Sequence, residues 1–201
     1  MKTHRLVLHH FQEEHAKPLF EFMRDADAMK HTYVAPSYEK CLARLSAYEA
    51  MRPTLGFAPW VVHTAREAKL IGWGGLSVDP EKPEWGLEVS DAFAPHTWGQ
   101  GYATELVMHS LAYAFGVLSA NDVHAFAKPQ NAASVRVLLK CSFGMLRYEP
   151  GLERNHYLAT RAVQGLTPRS SGAPTAAHQA RSVVPEHSPR PGPGVLPLSP
   201  A

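Results

Sequence analysis

The length, composition and charge of the chain limit its class. Its 201 residues, 45% of them hydrophobic, can form one domain of ordinary size with a core. The formal charge of +2 comes from three arginines and one glutamate after Gly165, so residues 1–165 are neutral and no basic face for nucleic acid is expected. Two cysteines are too few for a disulfide framework or a zinc site.

The first half of the chain is predicted to hold one strand, two helices and three further strands. Residues 5–11 alternate in polarity as a strand does, and residues 13–24 carry apolar side chains at helical spacing. Ser37 is a suitable N-cap for a second helix, which Pro53 is expected to end. Three strand-like runs separated by turn residues follow at 57–93 and predict an antiparallel meander.

The second half is predicted to contain a right-handed βαβ unit, followed by a helix and two late strands. The unit consists of a strand at 86–93, a helix with apolar residues spaced over 107–118, and a strand at 123–127. A ligand is expected beyond the carboxyl end of its first strand. Asn131 is expected to cap the next helix. The residues of that helix that we expect to face the core are Val135, Leu138 and Leu139.

Residues 166–201 differ in composition from the rest of the chain. They contain eight prolines mixed with Ser, Gly and Arg, and no aromatic residue. We expect a disordered tail here, with residues 1–165 forming the folded domain; a short linear motif is the alternative. The N-terminus is unlike a signal peptide and no apolar run reaches membrane-spanning length, so we expect a cytoplasmic protein.

The segment from His96 to Leu106 joins a predicted strand to a predicted helix through Gly99 and Gly101. Glycine permits a positive φ, while the first amides of a helix and its dipole favour a negative group such as a phosphate. A Walker A loop would need Lys-Ser/Thr after its last glycine, and a dinucleotide-binding turn would need a small residue where Thr104 stands. We therefore predict an anion-binding turn of another kind; a simple tight turn is the alternative.

The sequence Trp-Gly-Gln-Gly-Tyr-Ala-Thr-Glu, from Trp98 to Glu105, resembles the acyl-CoA loop of the GNAT N-acetyltransferase superfamily. The similarity is greatest to the branch of bacterial ribosomal-protein alanine/serine N-terminal acetyltransferases. Gly101 and Ala103 match the loop pattern, and Trp98 replaces its usual Gln or Arg. The likeness covers about residues 3–163. It extends to residues 3–8, 85–89, 131–134 and 140–143, and the chain departs from the branch at Ser90, Asp91 and Ser142.

The resemblance implies a mixed α/β fold with a central, mostly antiparallel twisted sheet, flanked by helices, in which the βαβ unit binds acetyl-CoA. It implies direct transfer of acetyl to a primary amine, without a covalent acyl-enzyme, and the branch favours the N-terminal α-amine of a protein or peptide. A small-molecule amine, a non-catalytic acyl-CoA-binding module and a damaged paralogue are the alternatives. The residues that the resemblance places at the cofactor are Phe93, Trp98, Gly99, Gln100, Gly101, Tyr102, Ala103, Thr104 and Asn131.

Acetyl transfer needs a base for the amine, and two carboxylates are candidates. Glu88 lies on the strand that leads into the loop, where the resembling branch has a carboxylate, and a raised pKa would suit it to accept the ammonium proton directly or through water. A solvent-facing structural role is the alternative. Asp91 is the second candidate. Strand alternation places the two on opposite faces, so we expect only one of them to face a given pocket.

Two further catalytic roles rest on the resemblance. Ser134 is expected to donate a proton to the leaving sulfur, because Leu138 stands where many relatives have a tyrosine. A backbone N–H at a strand bulge within residues 90–93 is expected to hold the carbonyl oxygen. The structural alternatives are that Asn131 is only a helix cap and that Ser134 bonds the preceding turn.

The expected partners are acetyl-CoA and the amine acceptor, with no nucleic acid and no membrane, and the chain could be a monomer or a homodimer. No metal is expected, because the twelve histidines show neither HExxH spacing nor a paired Cys motif. Four aromatic residues could line the acceptor pocket, although their spacings are more typical of a core. They are Phe22, Tyr33, Trp60 and Trp73.

Overall fold

The computed structural model describes residues 1–162, and the predicted tail at 166–201 lies outside them. The described residues contain seven strands: β1 (Leu6–His9), β2 (Trp60–Thr64), β3 (Leu70–Ser77), β4 (Glu88–Phe93), β5 (Asp122–Ala127), β6 (Gly144–Glu149) and β7 (Arg154–Thr160). They form one sheet in the order β1-β2-β3-β4-β5-β7-β6. Every neighbouring pair is antiparallel except β4 and β5, which are parallel. The predicted meander and mixed α/β fold are therefore confirmed.

Five α-helices accompany the sheet within residues 1–162: α1 (Ala16–Met23), α2 (Tyr38–Ala50), α3 (Arg52–Leu55), α4 (Tyr102–Gly116) and α5 (Ala132–Lys140). Ser37 caps α2 as predicted, because its hydroxyl accepts the Lys40 N–H at 3.3 Å. The prediction that Pro53 ends α2 is wrong, because α2 ends at Ala50. Pro53 lies in the first turn of α3, where its missing N–H would have no helical acceptor.

Helices cover both faces of the central strands. α1 and α2 pack on one face, against Val61 and Trp73, and α4 and α5 pack on the other, against Val89 and Val123. Successive side chains of β4 therefore point alternately towards the core beneath α1 and α2 and towards the core beneath α4 and α5. Leu139 was predicted to face the core and is exposed instead, because the 100° step of the helix turns it outward from the buried Leu138.

β4 and β5 are joined at one end and diverge towards the other. α4 provides the crossover that a parallel pair requires. A single register pair links Glu88 to His124, and the His124 N–H donates to the Leu87 carbonyl at 2.8 Å. The register of the described residues contains no further pair between these strands. The separation opens a gap through the sheet at the carboxyl end of β4.

Candidate active site

A cavity of about 440 Å³ occupies the gap between β4 and β5. Its walls come from β4, β5, α2, the start of α5 and the turn before β7. Because the gap passes through the sheet, both faces of β4 reach it, with Glu88 on the side of α1 and α2 and Asp91 on the side of α4 and α5. The expectation that only one of these carboxylates faces a given pocket is therefore wrong, although they do lie on opposite faces.

Glu88 is buried where the two strands are still paired. It is 9% exposed, and its carboxylate accepts a hydrogen bond from the Ser77 hydroxyl at 3.4 Å. Burial raises the pKa of Glu88 to about 7, and the negative charge of Asp79 acts in the same direction. The Ser77 hydrogen bond and the guanidinium groups of Arg44 and Arg154 act against this rise. A carboxylate that titrates near neutral pH is suited to accept and release a proton.

Asp91 has different surroundings on the other face of β4. It is half-buried, and burial alone raises the pKa of its carboxyl to about 6. The apolar residues Val89, Val107 and Leu138 line the cavity on this side. Asp91 is thus a carboxylate in an apolar wall, whereas Glu88 lies among charged groups.

The diverging edge of β4 also directs backbone groups towards the cavity. The Ala94 N–H donates to the Ile71 carbonyl at 2.9 Å, which makes the even-numbered residues of β4 the hydrogen-bonding partners of β3. By the alternation of an antiparallel ladder, the N–H groups of Asp91 and Phe93 point away from β3 and towards the gap. The β3–β4 register runs without a shift, so the bulge predicted at residues 90–93 is absent from this strand. The departure of β5 exposes the donors instead.

The loop between β4 and α4 has the backbone conformation that its glycines predict. Gly99 has φ +75° and Gly101 has φ +81°, both in the left-handed region. A Cβ on Gly99 would meet nothing within 4 Å, so the conformation rather than space calls for glycine there. Gly101 is the N-cap of α4 and offers no side-chain cap. The N–H groups of residues 102–104 therefore find no acceptor among the described residues and are available to an anion.

Arg5 at the start of β1 holds this loop in place. It donates to the Gln100 carbonyl at 2.8 Å and forms an ion pair with Glu105 at 2.7 Å. Its guanidinium carbon lies 4.8 Å from the centre of the Tyr102 ring. The sequence analysis includes Arg5 only in a segment that resembles the family, and it does not predict that Arg5 holds the loop.

Two of the predicted cofactor residues contact each other. The Trp98 indole N–H donates to the Phe93 carbonyl at 2.8 Å. The Phe93 ring is buried in a core that includes Trp60 and Leu106, so Phe93 can reach a cofactor only through its backbone. The Trp98 ring, by contrast, is exposed beside the loop. Residues 98–104 follow the carboxyl end of β4 and do not line the cavity themselves.

Asn131 and Ser134 line the cavity together at the start of α5. The side-chain oxygen of Asn131 accepts the Ser134 N–H at 3.2 Å, so Asn131 is the N-cap of this helix. The Ser134 hydroxyl has no hydrogen-bond partner among residues 1–162. The cap thus fixes the backbone of Ser134 while its hydroxyl remains available to a ligand.

Several residues of the cavity were not predicted from the sequence. The charged and phenolic groups in this set come from α2, the β3–β4 connection and the start of β7, and they are Arg44, Tyr48, Asp79 and Arg154. No motif connects them, because only the fold brings their segments together. Of the four aromatic candidates, Tyr33 and Trp73 line the cavity, whereas Phe22 and Trp60 belong to the cores.

Two negative findings apply to residues 1–162. Among these residues, no group of three or more His, Cys, Asp or Glu side chains is arranged to hold a metal ion. No helix in this part of the chain is long and apolar enough to cross a membrane.

Comparison with known proteins identifies one family. The family model described as acetyltransferase (GNAT) domain matches residues 5–144. The uncharacterized N-acetyltransferase YoaA of Bacillus subtilis is 24% identical over 152 residues, which cover 73% of this chain and 85% of YoaA. The uncharacterized N-acetyltransferase p20 of Bacillus licheniformis is 25% identical over 153 residues, covering 72% of this chain and 84% of p20.

Solved structures share the fold. A GNAT-family acetyltransferase from Bacillus anthracis has a TM-score of 0.67 and 21% identity, covering 81% of this chain and 98% of its own. A candidate ribosomal-protein-serine acetyltransferase from Vibrio cholerae has a TM-score of 0.64 and 14% identity, covering 79% and 95%. The aminoglycoside acetyltransferase AAC(6')-Ib, in complex with coenzyme A, has a TM-score of 0.64 and 15% identity, covering 82% and 99%.

Proposed function

The chain belongs to the GNAT acetyltransferase family and is an N-acetyltransferase, and from this premise we propose that it transfers acetyl from acetyl-CoA directly to the N-terminal α-amine of a protein or peptide. The observation that carries the proposal is Glu88, a buried carboxylate that lies among charged groups at the cavity between β4 and β5 and has a pKa of about 7. An α-amine with a pKa of about 8 offers more free base at neutral pH than a lysine at about 10.4.

A small-molecule amine is the second candidate acceptor. The cavity volume of about 440 Å³ lies in the range of small-molecule sites. Proteins of this fold are described with both kinds of acceptor, since one is named for a ribosomal-protein serine and another for aminoglycosides. Because acceptor specificity depends on the site rather than the fold, the two candidates need a direct test.

The loop at residues 98–104 and Asn131 are proposed to hold acetyl-CoA. The exposed N–H groups at the start of α4 and its dipole favour phosphate, and the positive φ of the two glycines turns the chain so that these groups converge. Arg5 keeps the loop in this form through Gln100. The residues therefore fit an acyl-CoA, which when bound supplies the acetyl group as a thioester.

Each catalytic step has a proposed residue on the wall of the gap. Glu88 accepts a proton from the ammonium group, directly or through water, so that the free amine can attack the acetyl carbon. The backbone N–H of Asp91 or Phe93 stabilises the negative charge that develops on the carbonyl oxygen. The Ser134 hydroxyl donates a proton to the sulfur that leaves. No covalent acyl-enzyme is needed, because donor and acceptor meet in one cavity.

The test is acetylation of a panel of acceptors by the purified protein with acetyl-CoA. The panel contains peptides with Ser, Ala or other N-terminal residues, polyamines and aminoglycosides, and both thiol release and product mass are followed. Release coupled to acetylation of a peptide N-terminus supports the proposal, and acetylation of a small amine alone supports the second candidate. If acetyl-CoA raises the melting temperature but no acceptor is modified, the chain is a non-catalytic binding module.

We propose in addition that residues 1–165 form the acetyltransferase domain and that residues 166–201 are a separate tail in a cytoplasmic protein. The composition of the tail supports this division, as does the last described strand, which ends at Thr160. Limited proteolysis that removes the tail and leaves an active fragment would support it. Cleavage that always abolishes acetyl-CoA binding would contradict it.

A further inference from the structure

Two arginines line the Glu88 side of the cavity without a carboxylate partner. Arg44 lies on α2 and Arg154 at the start of β7, and both are half-buried. Within residues 1–162 no acid lies within 4 Å of either guanidinium. The Arg154 guanidinium also makes no hydrogen bond to another described residue. The donors of Arg154, and those of Arg44 that do not bond Tyr48, are therefore available to a ligand in the cavity.

Aromatic side chains hold Arg44 in position. It donates to the Tyr48 hydroxyl at 3.1 Å, and its guanidinium carbon lies 4.6 Å from the centre of the Tyr33 ring and 5.2 Å from that of Tyr48. Tyr48 in turn packs edge-on against Trp73, with ring centres 5.3 Å apart. A planar guanidinium held in this way presents a preorganised pair of donors, which matches the geometry of a carboxylate.

Both arginines line the same cavity, and the charge of one acts on the other. Burial lowers the pKa of Arg154, and the positive charge of Arg44 acts in the same direction, whereas Glu88 acts against it. Two half-buried cations without a directly paired carboxylate are unfavourable, because each loses water and repels the other, and Glu88 offsets this only in part. An anionic group on a ligand would offset both costs.

We propose that the acceptor carries a carboxylate close to its primary amine, and that Arg44 and Arg154 bind this carboxylate while Glu88 takes the proton of the amine. The inference rests on the proposed function and specifies its acceptor. The cavity wall holds charges of both signs, so Glu88 and Asp79 can attract an ammonium group and the two arginines can attract a carboxylate. Two sources offer this chemistry: a peptide with an acidic residue directly after its N-terminal residue, and a free α-amino acid.

The experiment compares acceptors that differ only in the carboxylate. One pair is a Ser-Asp and a Ser-Asn peptide of otherwise equal sequence, and the other is alanine and alaninamide. We expect Arg154→Gln to raise KM at least tenfold for the carboxylate-bearing member of the pair that the protein uses, and less than twofold for its amide. Arg44→Gln is expected to act in the same direction. The responding pair identifies which of the two sources supplies the carboxylate.

A matched control removes the same charge elsewhere. Arg66 is exposed in the turn between β2 and β3 and is not among the residues that line the cavity, so Arg66→Gln should leave every KM unchanged. Melting temperatures with and without acetyl-CoA show whether each variant is folded and binds its cofactor. A variant that keeps the cofactor-induced shift is a valid test of acceptor binding.

Two results would overturn the inference and leave the proposed function intact. In one, the wild-type protein acetylates both members of each pair equally well. In the other, Arg154→Gln lowers kcat/KM equally for both members and moves its pH profile upward, as expected if Arg154 only opposes the raised pKa of Glu88. Failure of the wild-type protein to release thiol with any acceptor would instead reject the proposed function, together with this inference.

Discussion

The two faces of β4 reach the same cavity with different chemistry. On the Glu88 face the neighbours are charged, and on the Asp91 face they are apolar. The carboxylates are three residues apart in one strand, yet only Glu88 has cations and another acid acting on its pKa. The difference shows that a pKa raised by burial does not by itself identify a base, since both groups have one. The surrounding charges make the Glu88 face the better site for a polar acceptor and its proton.

The largest expected effect separates the two carboxylates by activity. Glu88→Gln should lower kcat by about 10²–10⁴-fold, because the amide cannot accept the ammonium proton. Asp91→Asn, the matched change on the other face, should lower kcat by less than about tenfold, since it removes no proton acceptor from the acceptor side. Steady-state thiol release with a saturating acceptor measures both.

The same comparison has a pH signature. Because Glu88 must be ionised to act, wild-type kcat/KM should rise with pH, with a midpoint near 7. If Asp91→Asn loses more activity than Glu88→Gln, then Asp91 is the base and the assignment of the two faces is reversed.

The next largest effect is that of Glu88→Gln on the free energy of unfolding. The folded-state pKa of Glu88 lies above its ordinary value of 4.5, so the folded protein holds this proton more tightly than the unfolded chain does. The stability that this gives is complete below pH 4.5 and is lost as the pH rises through about 7. Glu88→Gln should therefore increase the free energy of unfolding at pH 8 by up to about 3 kcal/mol, with a smaller gain at pH 5. Urea unfolding at both pH values measures it.

Asp91→Asn extends this test to the other face. This variant should also have a larger free energy of unfolding than the wild-type protein at pH 8. Burial raises the pKa of Asp91 to about 6, so the wild-type protein loses this contribution to stability as the pH rises through that value. A variant of either residue that is less stable at pH 8 than the wild-type protein would show that the ionised carboxylate makes favourable contacts outweighing its burial.

A smaller effect is expected in the cofactor loop. Gly101→Ala places a side chain at φ +81° and should cost about 1–2 kcal/mol of stability, together with a weaker melting-temperature shift by acetyl-CoA. Gly116→Ala is the matched control, because Gly116 ends α4 without a positive φ and with nothing within 4 Å of an added Cβ. Equal losses in the two variants would argue against the left-handed loop as the binding element.

The smallest expected effect compares two helix caps. Asn131→Ala and Ser37→Ala each remove one cap, at 3.2 and 3.3 Å, and each should cost about 1 kcal/mol of stability. Only Asn131→Ala should also raise the KM for acetyl-CoA, because only Asn131 is proposed to contact the cofactor. An unchanged KM would mean that Asn131 is a structural cap alone.

Much of the fold follows from local sequence signals. The order of the strands and of the four longer helices, the caps at Ser37 and Asn131, and the glycine turn at 99–101 were all predicted, because each depends on residues a few positions away. The errors lie where local rules compete. Pro53 can end one helix or begin the next, and Leu139 sits at the border of an amphipathic stripe.

The part of the site proposed to bind the cofactor could be predicted from local sequence, whereas the part proposed to bind the acceptor could not. The loop at residues 98–104 is built by backbone conformation, which glycine and a following helix determine within one short segment. Sequence alone therefore predicted the glycine turn before α4, and the family resemblance pointed to Glu88, Asn131 and Ser134 as candidates, all of which line the cavity. The acceptor half is built by side chains from α2, the β3–β4 connection and β7, which no sequence spacing relates.

Only the tertiary structure decided that Arg44 and Arg154 meet beside Glu88, and that both faces of β4 reach one cavity. These features depend on where β5 leaves β4 and on how α4 and α5 pack against the sheet. Such packing is the sum of many weak contacts between distant segments, so no single residue encodes it. The raised pKa of Glu88 follows from the same cause, because burial exists only once the chain is folded.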